Sequence, residues 1–133
     1  MEQQDYNRII DERAGAVFAA MEGRVSPGDM ERIKAAFELA RSAHSSQRRK
    51  TGEPYILHPI AVATIAAQEL SLEANLVIAA FLHDVVEDTD YTIDDIRQRF
   101  GDDVAFLVSV VTKQKKEKYE MSRQLDNFKQ MLN

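Results

Sequence analysis

Four of the ionisable side chains within residues 81–90 follow an apolar run closely enough to share one helix end: His83, Asp84, Glu87 and Asp88. On a regular helix, positions one, four and five apart form one continuous patch, which places His83 under Glu87 and Asp84 under Asp88. The C-terminal end of a helix carries partial negative charge, so carboxylates there are unfavourable unless a divalent cation is bound. Mixed imidazole and carboxylate ligands suit manganese, iron or zinc better than calcium. The pattern therefore indicates a transition-metal site.

The competing interpretation of this run is an exposed helix end without a metal. A His-Asp dipeptide alone is a weak motif and favours that interpretation, while the added carboxylates favour the metal site, so both stay open. His58, which precedes Pro59 at a predicted helix start, supplies a second imidazole, although a histidine beside a proline is more often structural. His44 shares an apolar helix face, and we expect a core histidine hydrogen-bonded to the backbone.

A basic loop at residues 47–55 precedes His58. It contains Arg48, Arg49, Lys50 and Thr51 before a glycine. Arginine offers a planar fork to phosphate oxygens and lysine a point charge, although three cations alone are more often a solvated surface. A metal beside a phosphate-binding loop indicates hydrolysis of a phosphate ester or anhydride, because the metal activates water and a nearby carboxylate can move its proton.

The elements that position these residues are predicted to be helices. Apolar residues recur at helical spacing, and neither an alternating strand pattern nor an internal repeat appears. We predict a first helix through Tyr6 and Met21, a second opened by Ser26, a third from about His58 to Leu70, and a fourth capped by Ser71. Further helices are predicted as follows: one opened by a capping box at Thr92 and ended by Gly101, one through Val104 and Val111, and, after a lysine-rich loop, one beginning near Met121.

Composition narrows the class of protein. The chain has 133 residues and no cysteine, which suits one domain or part of one and rules out disulfides and thiolate sites. The net charge of −5 argues against general nucleic-acid binding. The acidic, polar start differs from a signal peptide and no apolar run reaches ~20 residues. We expect a cytoplasmic all-α protein with neither nucleic acid nor membrane as a partner.

Two runs of the sequence resemble the hydrolase domain of the RelA/SpoT alarmone enzymes. The first is His-Ser-Ser-Gln-Arg-Arg-Lys-Thr-Gly-Glu-Pro-Tyr-Ile-Leu-His-Pro at 44–59, and the second is Phe-Leu-His-Asp-Val-Val-Glu-Asp-Thr at 81–89. Phe-Gly at 100–101 and Val-Thr-Lys at 111–113 fit the same order. Ser46 stands where the family often has glycine. A match of this length is far more specific than a His-Asp pair.

The resemblance implies an HD-domain-like helical bundle that removes the 3′-pyrophosphate of the guanine nucleotide (p)ppGpp, giving GDP or GTP and pyrophosphate. Manganese is the usual metal of that family. The residues to which the resemblance gives roles are, for the metal, His58, His83 and Asp84; for the activation or positioning of water, Glu87 and Asp88; and for the nucleotide, Arg49, Lys50 and Thr51.

One expected residue is missing from the sequence. The family's fourth metal ligand is an aspartate in a motif resembling Ala-Asp-Arg-Leu-His-Asn, which does not occur here, and Asp126 lies too early to replace it. The predicted last helix also has no stop signal. We therefore expect an N-terminal helix at 1–25 and an incomplete HD domain at 26–133, which alone binds metal weakly and hydrolyses little or nothing.

Three alternatives remain at this point. The chain could be a different HD phosphohydrolase, although the basic loop argues against it because the His-Asp motif does not require that loop. It could be a degenerate or regulatory HD domain of a GTP pyrophosphokinase. It could also be a non-catalytic helical module whose exposed core binds a partner or a second copy, since large apolar patches favour association.

Overall fold

Residues 3–132 are described by a computed structural model, and α-helices joined by short turns make up most of this part of the chain. The helices are α1 (Gln3–Met21), α2 (Pro27–Ala43), α3 (Leu57–Thr64), α4 (Ala74–Leu82), α5 (Val85–Asp88), α6 (Ile93–Phe100) and α7 (Asp102–Leu132), and a π-helical turn (Ile65–Glu69) continues α3. The predicted all-α class is confirmed.

Local signals set several helix ends where the sequence predicts them. The Ser26 hydroxyl accepts a hydrogen bond from the Asp29 backbone at 3.0 Å, so the free amides at the start of α2 gain a partner. Thr92 and Asp95 form a complete capping box at the start of α6. Gly101 ends α6 with φ of +96°, a left-handed conformation that glycine adopts without a side-chain clash.

Helix α4 lies at the centre of the fold and positions the site at its C-terminal end. It packs against α2, α3 and α7, and its Val77, Ile78 and Phe81 are fully buried. The Phe81 ring lies 5.8 Å from the Phe37 ring and 6.5 Å from the Phe18 ring, measured between centroids. Helices on three sides therefore hold α4, because it is apolar on most of its surface.

Helix α1 joins the same core. Its inward face carries Ile10, Ala14, Val17 and Met21, all buried as the spacing predicts, and it packs against α2 and α3. The predicted domain boundary between residues 25 and 26 stays a prediction, because the fact that α1 shares one core with the other helices does not decide where a domain begins.

The prediction that Ser71 caps α4 is wrong. Glu73 is the residue before α4, and its side chain makes no capping hydrogen bond. Ser71 instead has φ of +51°, and the next amide, that of Leu72, donates to the Ala66 carbonyl at 2.9 Å. This hydrogen bond joins residues six positions apart across a left-handed residue, one position more than the bond that closes many α-helix ends, and it follows a π-helical turn. Ser71 thus ends the preceding helix rather than beginning the next.

The predicted lysine-rich loop is also wrong, because α7 runs through it without interruption. Residues 113–120 contain no glycine or proline, and lysine, glutamate and glutamine are good helix formers. The helix predicted through Val104 and the helix predicted near Met121 are therefore one element. Beyond residue 118 its apolar side chains are largely exposed: Tyr119, Met121, Leu125, Phe128, Met131 and Leu132. Self-association through this surface stays a prediction.

No helix among residues 3–132 is both long and apolar enough to cross a lipid bilayer.

Candidate metal centre

Two imidazoles and one carboxylate converge where α4 ends; we call them the His–Asp cluster (His58, His83 and Asp84). His58 lies in the first turn of α3, and the other two lie between α4 and α5. Asp84 Oδ2 is 3.0 Å from His83 Nε2 and 3.6 Å from His58 Nε2. One ligand atom from each residue lies within 4.8 Å of the others. The structure thus brings together the three residues that the sequence suggests as metal ligands.

The backbone interruption at residues 83–84 allows neighbouring side chains to meet. Adjacent residues on a regular helix point about 100° apart, and we predicted one continuous helix through Asp88. The structure divides it into α4 and α5, so that prediction is wrong. Asp84 has φ of −101° and ψ of −6°, which departs from helical geometry. The turn directs Asp84 towards both imidazoles, and α5 resumes with the Asp88 amide donating to the Asp84 carbonyl.

A backbone carbonyl fixes the orientation of the His83 ring. His83 Nδ1 lies 2.7 Å from the Ala80 carbonyl oxygen and donates its proton there, which leaves Nε2 facing Asp84 Oδ2. Burial lowers the pKa of His83, but the hydrogen bonds to Asp84 and Ala80 outweigh burial and the pKa is raised. An unprotonated His83 Nε2 would direct its lone pair at a lone pair of Asp84 Oδ2, 3.0 Å away, so a proton or a metal cation is needed between the two atoms. This arrangement is typical of a metal-binding histidine.

Asp84 is a buried carboxylate that three donors keep ionised. Its side chain is 1% exposed. The Tyr55 hydroxyl donates to Oδ2 at 2.6 Å, and the Lys115 ammonium donates to Oδ1. Burial alone raises the pKa of Asp84, but the hydrogen bonds from His83, Lys115 and Tyr55 hold it well below its usual range. A charged oxygen ligand is therefore present at neutral pH.

His58 offers a neutral nitrogen. Partial burial lowers the pKa of His58, Asp84 opposes that effect, and the positive charges of His83, Arg49 and Lys115 lower the pKa further, so it is lowered overall. Neutral imidazole is the form that binds metals.

The donor set fits a divalent transition metal. Metal bonds of about 2.0–2.2 Å to imidazole nitrogen and carboxylate oxygen place neighbouring ligand atoms roughly 3.0–3.6 Å apart. The two measured separations of 3.0 and 3.6 Å between Asp84 and the imidazoles lie in that range. Two nitrogens and one oxygen also suit manganese, iron, cobalt or zinc. Among the described residues the His–Asp cluster accordingly meets the requirements of such a site with three protein ligands.

Two further carboxylates of the predicted patch, Glu87 and Asp88, lie outside the cluster, on α5. Glu87 and Asp88 are exposed. Glu87 Oε2 is 3.6 Å from Lys115 Nζ. The charge of Asp88, with a larger effect from Asp84, contributes to a raised pKa of Tyr55, whose main cause is burial of the phenol. Both carboxylates therefore lie at the edge of the His–Asp cluster and outside it, where they remain in contact with water.

The basic loop forms the second wall of the site. Arg48 and Pro54 pair as an isolated antiparallel bridge, the Arg49 amide donates to the Glu53 carbonyl at 2.9 Å, and Gly52 turns the chain with φ of +92°. Arg49, Lys50 and Thr51 are exposed and line an open cavity of about 500 Å³.

Tyr55 connects this cavity with the His–Asp cluster. Its side chain lines the cavity while its hydroxyl donates to Asp84. Its ring lies 4.9 Å from the His44 ring and 5.7 Å from the His58 ring, between centroids. His44 is buried as expected, but its Nδ1 pairs with the Gln47 side chain rather than with the backbone. The predicted hydrogen bond from His44 to the backbone is therefore wrong, because the Gln47 side chain occupies that position.

Lys115 is the site residue that the sequence interpretation missed. The sequence predicts a solvated loop at this position, whereas the continuous α7 brings the Lys115 ammonium to Asp84 Oδ1. The signal was its spacing: Lys115 follows Val108 by seven residues and Thr112 by three, and both of these are buried. Helical periodicity extended through the lysines would have placed it on the inward face.

Comparisons with known proteins agree with this geometry. A profile of the HD domain family matches residues 36–133. The chain is 48% identical, over 106 residues, to the guanosine-3′,5′-bis(diphosphate) 3′-pyrophosphohydrolase of Aquifex aeolicus, covering 80% of this chain and 15% of that protein. It is 46% identical, over 105 residues, to the bifunctional (p)ppGpp synthase/hydrolase SpoT of Escherichia coli, covering 77% and 15%.

Two further matches extend the comparison, one to a protein with a different name and one to a solved structure. The GTP pyrophosphokinase of Streptomyces coelicolor is 40% identical over 109 residues, covering 82% of this chain and 13% of that protein. A solved structure described as a metazoan ortholog of SpoT that hydrolyses ppGpp is 37% identical, with a TM-score of 0.59, and the likeness covers 65% of this chain and 48% of that one. The chain thus spans about 13–15% of the length of these curated relatives. The resemblance to RelA/SpoT proteins and the HD fold are confirmed.

Proposed function

The chain belongs to the HD domain family, and from that premise we propose that its site serves metal-dependent hydrolysis of the 3′-pyrophosphate of (p)ppGpp. Hydrolysis adds water across the bond between the 3′ oxygen and phosphorus. The products are GDP or GTP, with a free 3′ hydroxyl, and pyrophosphate. One relative is named guanosine-3′,5′-bis(diphosphate) 3′-pyrophosphohydrolase, which describes this reaction for that protein, and a second is named (p)ppGpp synthase/hydrolase.

The observation that carries the proposal is the contact between two different sites through Tyr55. The His–Asp cluster suits a divalent cation, and the cavity beside it is lined by Arg48, Arg49 and Lys50. Because Tyr55 both lines the cavity and contacts Asp84, a polyphosphate bound by these cations would lie next to the His–Asp cluster. A metal site alone fits many hydrolases; a metal site with an adjoining basic cavity selects phosphorylated substrates.

We propose manganese as the metal, held by His58 Nε2, His83 Nε2 and Asp84 Oδ2. These three residues would hold the cation, which when bound would supply a lowered pKa for a bound water and positive charge to neutralise a phosphoryl group. The ring of His83 stays oriented by the Ala80 carbonyl, and Asp84 stays oriented by Tyr55. The protein thus presents its ligands with little rearrangement, which favours binding because less conformational freedom is lost.

Glu87 and Asp88 are proposed to move protons. Both carboxylates are exposed at the edge of the cluster and ionised carboxylates accept a proton from water as it attacks. The same proton can then pass to the 3′ oxygen as it leaves.

The basic loop is proposed to hold the nucleotide. The Arg49 side chain is about half exposed, and its ion-pair partner among residues 3–132 is Glu53, 4.0 Å away, so its planar face and its donors are available to a base or a phosphate. Lys50 is exposed and offers a mobile charge, and the Thr51 hydroxyl, which donates to Glu53 at 3.0 Å, keeps its lone pairs. Guanine nucleotide as the partner follows from this loop and from the relatives' names.

Nucleotide binding in the presence of Mn²⁺ tests the proposal. Equilibrium dialysis compares ppGpp with GDP, which differs only in the 3′-pyrophosphate. We expect ppGpp to bind at least tenfold more tightly with Mn²⁺ than with EDTA, and GDP to show little difference. Because three protein ligands hold the metal, we expect slow hydrolysis at most, so binding is the primary result and pyrophosphate release the second.

Three variants locate the binding. His83→Ala should remove the dependence on Mn²⁺, and a combined Arg49→Gln and Lys50→Gln change should weaken ppGpp binding about tenfold or more by removing two phosphate-binding charges. A combined Lys118→Gln and Lys129→Gln change, at exposed positions on α7, removes the same number of charges and is the matched control. Equal binding of ppGpp and GDP would argue for a different HD phosphohydrolase, and no nucleotide binding by the wild-type chain would contradict the proposal.

A further inference from the structure

Lys115 binds the same carboxylate as the proposed metal ion, but at the other oxygen. Its ammonium donates to Asp84 Oδ1 and lies 3.6 Å from Glu87 Oε2. Asp84 is the one fully buried carboxylate of the site, and its second oxygen already faces both imidazoles. One positive charge on Lys115 therefore neutralises the group to which a divalent cation would bind.

The contact is specific to this lysine among its neighbours. Lys113, Lys116 and Lys118 on the same helix are exposed, whereas Lys115 is partly buried with its side chain 40% exposed. Helix α7 packs against α4 and α5, and the periodicity of its buried residues directs position 115 inward. The packing of α7 therefore holds the ammonium beside Asp84, whereas a flexible lysine side chain on the surface could contact many other acidic residues.

We infer that Lys115 is an affinity-determining residue of the metal site, an internal cation that holds Asp84 Oδ1 when no metal is bound and that a divalent cation on Oδ2 repels. The inference rests on the proposed metal site at the His–Asp cluster. A divalent cation on Oδ2 lies close to the ammonium on Oδ1, and repulsion between the two charges weakens the ion pair between Lys115 and Asp84. Both effects weaken apparent metal binding, so removing the charge should strengthen it.

Metal titration tests the inference without any enzymatic activity. Free Mn²⁺ is followed by its electron paramagnetic resonance signal in the wild-type chain and in Lys115→Gln, Lys116→Gln and His83→Ala. A partly exposed ion pair and the loss of local repulsion together correspond to about a tenfold decrease in the dissociation constant for Lys115→Gln. Lys116→Gln makes the same change in net charge one residue away and should shift the constant by less than twofold.

A second measurement follows the lysine itself in the wild-type chain. Reductive methylation, quantified by mass spectrometry of the peptide that contains residue 115, should be slow at Lys115 without metal and faster with Mn²⁺, with Lys116 unchanged. In His83→Ala, Mn²⁺ should no longer accelerate it.

The outcomes separate this inference from the proposed function. Equal Mn²⁺ affinity of Lys115→Gln and Lys116→Gln, with binding lost in His83→Ala, would overturn the role of Lys115 and keep the metal site. Absence of Mn²⁺ binding in all four proteins would overturn both. Tighter binding in Lys115→Gln alone, together with metal-dependent methylation, supports the inference.

Discussion

The Tyr55 hydroxyl should make a measurable contribution to metal binding, and Tyr55→Phe isolates it. The hydroxyl donates to Asp84 Oδ2 at 2.6 Å, the oxygen that faces both imidazoles. Phenylalanine keeps the ring, which packs beside His44 and His58, and removes only the donor. The raised pKa of Tyr55, caused by burial first and by Asp84 second, keeps the phenol protonated through the neutral range.

The size of the effect follows from the charge and burial of the acceptor. Hydrogen bonds to charged groups contribute about 1.5–3 kcal/mol. Tyr55 is only partly buried and Asp84 keeps two other donors, so about 1–2 kcal/mol is expected in the free energy of unfolding of the metal-free chain. Loss of a partner that orients a metal ligand lowers metal affinity about 10-fold to 100-fold, and we expect about tenfold weaker Mn²⁺ binding.

The assay combines urea unfolding with titration of Mn²⁺ by calorimetry. Tyr119→Phe is the matched control, since Tyr119 is 66% exposed on α7, and it should change neither quantity. Tyr55→Ala removes the ring as well. If Tyr55→Phe binds Mn²⁺ like the wild type while Tyr55→Ala does not, the ring rather than the hydroxyl positions the site, and the argument is refuted.

Three further predictions concern the fold that supports the site, all measured by urea unfolding. Phe81→Ala should lower the free energy of unfolding by about 3–5 kcal/mol, because the fully buried ring leaves a cavity against Phe18 and Phe37; a loss below 1 kcal/mol would contradict its central place. Thr92→Ala should cost about 1 kcal/mol through loss of the capping box, and an unchanged midpoint would argue against that cap. Gly101→Ala should cost about 1–2 kcal/mol, because φ of +96° strains alanine, and a more stable variant would show a different turn.

Local signals made much of the fold predictable. The caps at Ser26 and Thr92 and the end at Gly101 depend on residues within one turn of the helix end, so neighbouring sequence is enough to identify them. The convergence of His58 with His83 was also predictable in outline, from residue types and the resemblance. The prediction for Ser71 is wrong because a serine before an apolar run can either end the preceding helix or cap the next one. Only the backbone conformation at that residue distinguishes the two roles.

The remaining errors come from interactions that are distant in sequence. The interruption at residues 83–84 puts Asp84 among Tyr55, His58 and Lys115, and these partners come from three other segments of the chain. No local pattern encodes such a convergence. Lys115 was missed for a different reason: composition indicated a solvated loop, whereas helix propensity and spacing, applied to the same residues, indicate a helix with one inward lysine.

The position of a bound Mn²⁺ tests the central claim most directly. Crystals of the wild-type chain grown with Mn²⁺ and measured for anomalous scattering should show a peak bound by His58, His83 and Asp84, and the peak should be absent from His83→Ala. A strong Mn²⁺ peak held by other residues, with the His–Asp cluster free of metal, would contradict the account of this site.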